Sequence, residues 1–279
     1  MPQEMTQREY WSGKVGDEWA LHAERIDAML APITAAALDF AAFEFGERVR
    51  DIGCGAGATS LAIARRVGPT GRVVGVDLSS QMLDVARARA RHAALTIDFL
   101  DADASSADFG RRFDGAFSRF GVMFFAAPVE AFAHIRASMR EKGRLRFVCW
   151  RPMSENIWAT APLEAIAPML RTPLATPDPD APGPYSLADD AKLRRVLQGA
   201  GWSEIALSRW DGAVSVGGGG TLEESASFLL RIGPCARAIA EQELDAAEAK
   251  QRLMDRLAPH HGKNGVSLPA ACWLVAANA

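Results

Sequence analysis

The chain has 279 residues, 49% of them hydrophobic and 23% charged, which is enough apolar material for a core of ordinary size. A formal net charge of −3 excludes the basic footprint of a nucleic-acid-binding protein, and no apolar run reaches the roughly 18 residues of a membrane span. The four cysteines (Cys54, Cys149, Cys235 and Cys272) fall at no metal-ligand or redox spacing, so buried free thiols in a cytoplasmic protein without a metal site are expected.

Trp19, Ala23, Ile26, Leu30, Ile33 and Ala37 recur at spacings of three and four, which predicts a helical N-terminal segment over residues 1–45. Pro32 is expected to break that segment or restart its second helix. Short apolar runs then alternate with helical patterns. Strands are predicted near 48–52, 72–77, 95–100, 113–118 and 143–150, with helices near 57–67, 80–92 and 128–139. Such alternation argues a parallel sheet covered on both faces.

Eight of the fifteen prolines lie between Pro152 and Pro184, so this stretch cannot be a central strand or one long helix. It holds a helix-compatible piece, Ile157 to Leu170, and ends in a proline run from Pro177 to Pro184. A helix near 187–199 and a strand near 203–211 follow. Gly217 to Gly220 precede no Gly-Lys-Ser or Gly-Lys-Thr and read as a flexible linker, not a phosphate loop. Thr221 and Glu224 form a capping-box signature for the next helix. One long helix, about 235–257, and a last strand, about 265–277, complete the chain.

The most informative stretch is Val49 to Thr59. An apolar strand carries an acid, Asp51, into a turn built on Gly53, Gly55 and Gly57, and a helix follows at once. The next strand ends in Asp77. Strand, glycine turn, helix, strand and acid together hold an adenosine-containing cofactor at the edge of an open α/β sheet. Up to this point a nicotinamide dinucleotide and S-adenosylmethionine fit equally. Asp51 separates them: it would repel a pyrophosphate and suit a ligand bearing an ammonium and a sulfonium. Asp101 and Asp103 follow the third strand, where an acid can accept from an adenine amino group; Asp101 reads as solvated.

Asp51-Ile52-Gly53-Cys54-Gly55-Ala56-Gly57, Gly75-Val76-Asp77-Leu78-Ser79-Ser80-Gln81-Met82-Leu83, Ala102-Asp103-Ala104 and Phe113-Asp114, in that order, resemble the successive motifs of class I S-adenosylmethionine-dependent methyltransferases. The likeness covers about 46–150 and is nearest the small-molecule branch of ubiquinone and menaquinone biosynthesis. Arg140-Glu141-Lys142-Gly143 departs from the Arg-Pro-Gly-Gly of many relatives and alters a turn before the fifth strand. The resemblance implies one doubly wound, Rossmann-like α/β domain over 1–279, with a seven-stranded, mostly parallel sheet, helices on both faces and a helical lid. Within it, 1–45 would be a helical cap, 46–150 the cofactor core, and 151–186 and 221–262 lid segments over the acceptor.

By the same resemblance S-adenosyl-L-methionine is the cofactor. Gly53, Gly55 and Gly57 would line its methionine part, with Asp51 at the ammonium and Ser118 nearby, and Cys54 is a further cofactor-binding candidate. Asp77 would take the ribose, Leu78 and Met82 the adenine face, and Asp103 and Ala104 the adenine edge. Trp11 would fold over the cofactor from the N-terminus.

The expected partner is a small-molecule methyl acceptor, with no nucleic acid and no stable membrane insertion; an oligomeric state is not readable. Phe120, Met123, Phe124, Phe125, Trp150 and Trp158 offer apolar walls, which favour an apolar or aromatic acceptor. Arg119 and His22 are the candidates for catalysis: Arg119 either orients an anionic acceptor or pairs with an acid, and His22 either acts as a base or only packs. Two other readings stay open, a non-catalytic S-adenosylmethionine-binding regulator and an NAD(P)-dependent oxidoreductase.

Overall fold

In the computed structural model, which describes residues 6–110, 113–174, 178 and 180–279, the strand pattern resolves into one central sheet. Residues 1–5, Pro177 and Pro179, on which parts of the sequence reading fell, lie outside the described residues. The strands are β1 (Arg48–Ile52), β2 (Arg72–Asp77), β3 (Asp98–Asp101), β4 (Phe113–Arg119), β5 (Met139–Trp150), β6 (Ser203–Ser215), β7 (His261–Gly262) and β8 (Gly265–Asn278). Seven of them run across the sheet in the order β3-β2-β1-β4-β5-β8-β6, and the two-residue β7 only pairs back on β8. All neighbours from β3 to β5 are parallel, and β8 is antiparallel to both β5 and β6. The chain turns one way from β1 and the other way from β4. Ligands of open α/β sheets bind beyond the strand C-termini at that reversal.

The helices are α1 (Gln7–Ser12), α2 (Lys14–Leu21), α3 (Ala23–Ala41), α4 (Ala58–Val67), α5 (Ser80–His92), α6 (Pro128–Ala137), α7 (Ile157–Ile166), α8 (Asp190–Gly199), α9 (Leu222–Leu229), α10 (Pro234–Gln242) and α11 (Ala246–Leu257). Helices α3, α4 and α5 cover the sheet face onto which Asp51 and Phe117 look; α6 covers the other, with Phe132 5.5 Å from Phe147, and α8 packs beside it.

Four local expectations are corrected. Pro32 does not interrupt the N-terminal helix: α3 runs through it, because Pro32 lies on the exposed side and Ile26, Met29, Leu30, Ile33 and Ala37 bury both halves of the opposite face. The helix expected at about 235–257 is two helices. Glu243 ends α10 at φ +49, and Asp245 starts α11 by accepting from Glu248 N at 2.7 Å.

The fifth strand starts at Met139, not 143. The Arg140–Gly143 departure is absorbed as an irregularity in the ladder, with Lys142 at φ +64. Nor is the glycine run a flexible linker. Gly217 to Gly220 all have positive φ, Arg25 Nε donates to Gly217 O at 2.9 Å, and a Cβ on Gly218 would lie 2.7 Å from Ala28 Cβ. The run is a turn packed onto α3 that only glycine can follow.

Candidate functional site

Between β1 and α4 the glycine turn is fixed from two sides. Gly53 N and Cys54 N both donate to Val76 O, at 2.8 and 3.1 Å. Gly53 sits at φ +64, and a Cβ there would come 2.7 Å from the Cα of Gly121, just beyond β4. Gly57, at φ +83, precedes α4 where a Cβ would meet Ala86 of α5 at 2.8 Å. Glycine at these two positions lets β4 and α5 close on the turn. The N-terminus of α4 opens toward it with free N–H groups and a partial positive charge.

Asp51 is fully buried beneath this turn. Its Oδ2 accepts from Thr59 Oγ1 and Ser60 Oγ, each at 2.6 Å, while its Oδ1 is buried with no partner among the described residues. Burial raises the carboxyl to about 6, against the lowering effect of the two hydroxyls and Arg119. An ionised Asp51 therefore lacks one charge-assisted hydrogen bond, and a cationic group at the turn would supply it. An ammonium fits that atom; a pyrophosphate does not. Thr59 and Ser60, which the sequence reading missed, left a faint signal as adjacent hydroxyls in the first turn of the helix after a strand acid.

Asp77 ends β2 and joins three segments. Its Oδ2 accepts from Gly55 N at 2.7 Å and its Oδ1 from Ser79 N at 2.9 Å. Burial raises its pKa and these backbone bonds lower it. Each oxygen keeps a further lone pair for hydroxyl donors. Leu78, half-buried, accepts from Ser12 Oγ at 3.0 Å, and Gln81 Nε2 donates to Ser12 O at 2.8 Å. With the Arg8–Asp101 pair at 2.5 Å, these contacts latch α1 across the ends of β2 and β3. Asp101 is thus ion-paired.

The latch brings Trp11 to the site. Its ring lies edge-on to Trp19 at 5.6 Å and to Phe124 at 5.1 Å, between the N-terminal cap and the segment after β4. Met82 is buried with Ala23 and Ala56 and guards Gly55, to which its Cε would be 2.9 Å from a Cβ. Ser118 is buried, donates to Ile52 O at 2.8 Å and accepts from Gly121 N at 3.1 Å, so it ties β4 to the end of β1. Asp103 is exposed and accepts from Ser105 N and Oγ; Ala104 beside it is buried. Cys54 turns its thiol into a core of Leu61, Leu83 and Phe99, where burial pushes its pKa up, and its N–H and carbonyl are spent inside the turn.

Arg119 finds an acid. It donates to Asp27 Oδ1 at 2.8 Å and Thr34 Oγ1 at 2.9 Å, and Asp27 Oδ2 takes Arg89 at 2.7 Å. Arg89 also reaches Ala56 O at 3.1 Å, so two guanidiniums share one carboxylate beside the turn. Asp27 and Arg89, far apart in sequence, carried no readable signal. His22 stands apart from this cluster, 3.6 Å from Glu18 and edge-on to Phe228 of α9.

Beyond β4 and β5 lies an aromatic wall. Phe120 stacks on Trp150 at 4.1 Å and 11°, and Trp158 of α7 lies 4.9 Å from Trp150. Phe120 adopts φ +66, a strained conformation for a bulky residue that such stacking holds in place. Met123 is buried in the core, and Phe125 packs edge-on to Phe132.

Residues 49–143 match the model of a methyltransferase domain. An uncharacterized protein of Mycobacterium tuberculosis (strain H37Rv) is 34% identical over 146 residues, 52% of this chain and 50% of that protein. Aklanonic acid methyltransferase DauC of Streptomyces sp. (strain C5) is 36% identical over 104 residues, 37% of this chain and 47% of that one. The chain thus spans about half the length of the curated relatives it matches. Among solved structures, Haemonchus contortus phosphoethanolamine N-methyltransferase 2, in complex with phosphomonomethylethanolamine and S-adenosylhomocysteine, is 15% identical with a TM-score of 0.56, over 100% of this chain and 61% of that one. That likeness is one of fold.

Proposed function

We propose that the whole protein, whose residues 49–143 match a methyltransferase domain, transfers a methyl group from S-adenosylmethionine to a small apolar or aromatic molecule. The observation that carries the reading is the buried, unpartnered Asp51 Oδ1 beside a turn that β4 and α5 can approach only because it is glycine. When bound, the cofactor supplies a methyl group already activated on sulfur. Asp51 would hold its ammonium and Asp77 its ribose hydroxyls, with Leu78 and Met82 against the adenine and Asp103 and Ala104 at its edge. The α4 N-terminus and the Arg89–Asp27–Arg119 cluster suit a carboxylate. Cys54 would contribute only its place in the turn, and Trp11 would close the site from above.

What remains for the chain is alignment and exclusion of water, which together supply roughly 7–11 kcal/mol of a barrier of this kind. The Phe120–Trp150 stack and Trp158 give a flat apolar acceptor a wall to lie against. Arg119 positions the turn through Asp27. The cap 1–45 and the segments 151–186 and 221–262 would enclose the acceptor as one domain with the core 46–150. DauC, whose named substrate is a small-molecule acid, supports the acceptor class. Four buried thiols, none in a disulfide, favour a cytoplasmic setting; no helix among the described residues is long and apolar enough to cross a membrane.

Incubating the purified chain with methyl-labelled S-adenosylmethionine and a small-molecule extract tests the reading by mass spectrometry. Labelled product and S-adenosylhomocysteine are the expected result. Cofactor binding with no turnover in any extract would favour the regulatory reading, and binding of a nicotinamide dinucleotide instead would remove the methyltransferase one.

A further inference from the structure

A cavity of about 340 Å³ lies between the N-terminal cap and α9, away from the glycine turn. Glu18 and Leu21 line it from α2, His22 and Arg25 from the start of α3, and Phe228 and Arg231 from α9 and the residues after it. Glu18 lies close to His22 and Arg231 without a hydrogen bond to either. Glu18 Oε2 lies 3.6 Å from His22 Nε2, and Glu18 Oε1 lies 3.6 Å from Arg231 Nη1. Both separations exceed a hydrogen bond. Glu18 Oε2 is moreover buried with no hydrogen bond among the described residues, so the cavity holds an acceptor that a donor brought into it would satisfy.

The charge balance indicates what else such a guest carries. Arg25 and Arg231 outnumber Glu18, so the lining is positive by one before His22 is counted. Glu224, whose charge interacts with Arg25, is held in the capping box, where its Oε2 accepts from Thr221 N at 2.7 Å. Arg25 is fixed by Gly217 O and Glu224 O and lies over the Phe228 ring at 5.3 Å, whereas Arg231 is 61% exposed and meets Glu18 only at 3.6 Å. Phe228 and the exposed Leu21 supply the apolar surface.

We propose that this cavity binds a small hydroxy-carboxylic acid, its carboxylate on Arg231 and Arg25, its hydroxyl donating to Glu18, and its apolar body against Phe228 and Leu21. None of these residues belongs to the Phe120–Trp150–Trp158 wall that receives the methyl acceptor, so the ligand occupies a second site. The opposite side of the same helices reaches the cofactor turn: Ala23, next to His22, packs on Ala56 and Met82, and Trp19 packs on Trp11.

Amide chemical shifts of the ¹⁵N-labelled full-length protein, titrated with 3-hydroxybenzoate, 3-hydroxybenzamide and benzoate, test this. The expected result is that 3-hydroxybenzoate shifts Glu18, His22, Arg25, Phe228 and Arg231, binds at least tenfold more tightly than the neutral amide, and loses at least tenfold in R231A. E18A should abolish the preference for 3-hydroxybenzoate over benzoate. The Arg231 and Glu18 side chains meet only at 3.6 Å, beyond a hydrogen bond, and unchanged amide spectra elsewhere will show that the variants remain folded. Equal affinity for acid and amide, shifts confined to other residues, or an R231A protein that binds like wild type would overturn the proposal. S-adenosylhomocysteine is titrated into the same sample: if it binds and the acids do not, this inference fails alone, and if it does not bind, the methyltransferase reading fails.

Discussion

Asp77 accepts the amide hydrogen of Gly55 at 2.7 Å, so the acid that ends β2 also holds the turn that ends β1. One side chain thereby has two tasks. It offers its remaining lone pairs to a ligand, and it fixes the turn on which that ligand would lie.

D77A is therefore expected to lose more than ribose contacts. Charge-assisted hydrogen bonds are worth about 1.5–3 kcal/mol each, so the affinity for S-adenosylhomocysteine should fall at least tenfold. Amide exchange at Gly55 and Ser79 should rise in the unliganded protein, because their N–H groups lose an acceptor. Calorimetry and hydrogen exchange read the two effects separately; unchanged affinity would remove Asp77 from the site.

Asp51 gives a pH dependence with a defined sign. Its carboxyl is raised from about 4 in an unfolded chain to about 6 in the fold. The native state then binds more protons than the unfolded one across that window. Stability from this group is complete below pH about 4 and is lost as pH rises toward 6. Affinity for a cationic ligand runs the other way and weakens as pH falls through 6. D51N should flatten both trends near pH 6 and weaken S-adenosylhomocysteine at least tenfold at pH 7.5. Thermal unfolding and calorimetry between pH 4.5 and 8 check this; a wild-type affinity that does not change over that range contradicts it.

Arg50, one residue before Asp51, is fully buried on the opposite face of the sheet. Its guanidinium has no hydrogen-bond partner among the described residues, lies 4.5 Å from the Phe109 ring, and is lowered to about 10 by burial. A buried guanidinium with no hydrogen bond keeps its desolvation cost, which stacking on Phe109 and Phe113 offsets only in part. R50M should accordingly raise stability in chemical denaturation at pH 7, and a destabilised R50M would show that the stacked guanidinium holds the fold.

The packed glycine turn makes a further claim about stability. At Gly218, φ +78 and a Cβ position 2.7 Å from Ala28 Cβ combine strain with overlap. G218A should destabilise by roughly 2 kcal/mol or more in urea. A neutral G218A would restore the flexible linker expected from composition.

The sheet was legible because its signals are local. Runs such as Gly71 to Val76 read as buried strands, and the glycine spacing with Asp51 and Asp77 placed the turn before any contact was known. What the sequence hid depends on long-range packing. Pro32 looked like a helix breaker because its neighbours across the fold, which bury Ile33 and Leu30, are not written nearby. The Arg119–Asp27–Arg89 cluster joins three elements, so Arg119 could be read only as a cation awaiting some anion. The partners of Asp51 were within nine residues, yet two hydroxyls in a helical first turn look like ordinary surface residues until the strand acid beneath them is seen to be buried.

The central claim is charge complementarity at the Asp51 turn, and calorimetry of the wild-type protein with S-adenosylmethionine and NAD side by side at pH 7.5 tests it most directly. One S-adenosylmethionine bound per chain, with no measurable NAD binding, is the expected result. Binding of NAD in preference, or of neither ligand, would contradict it.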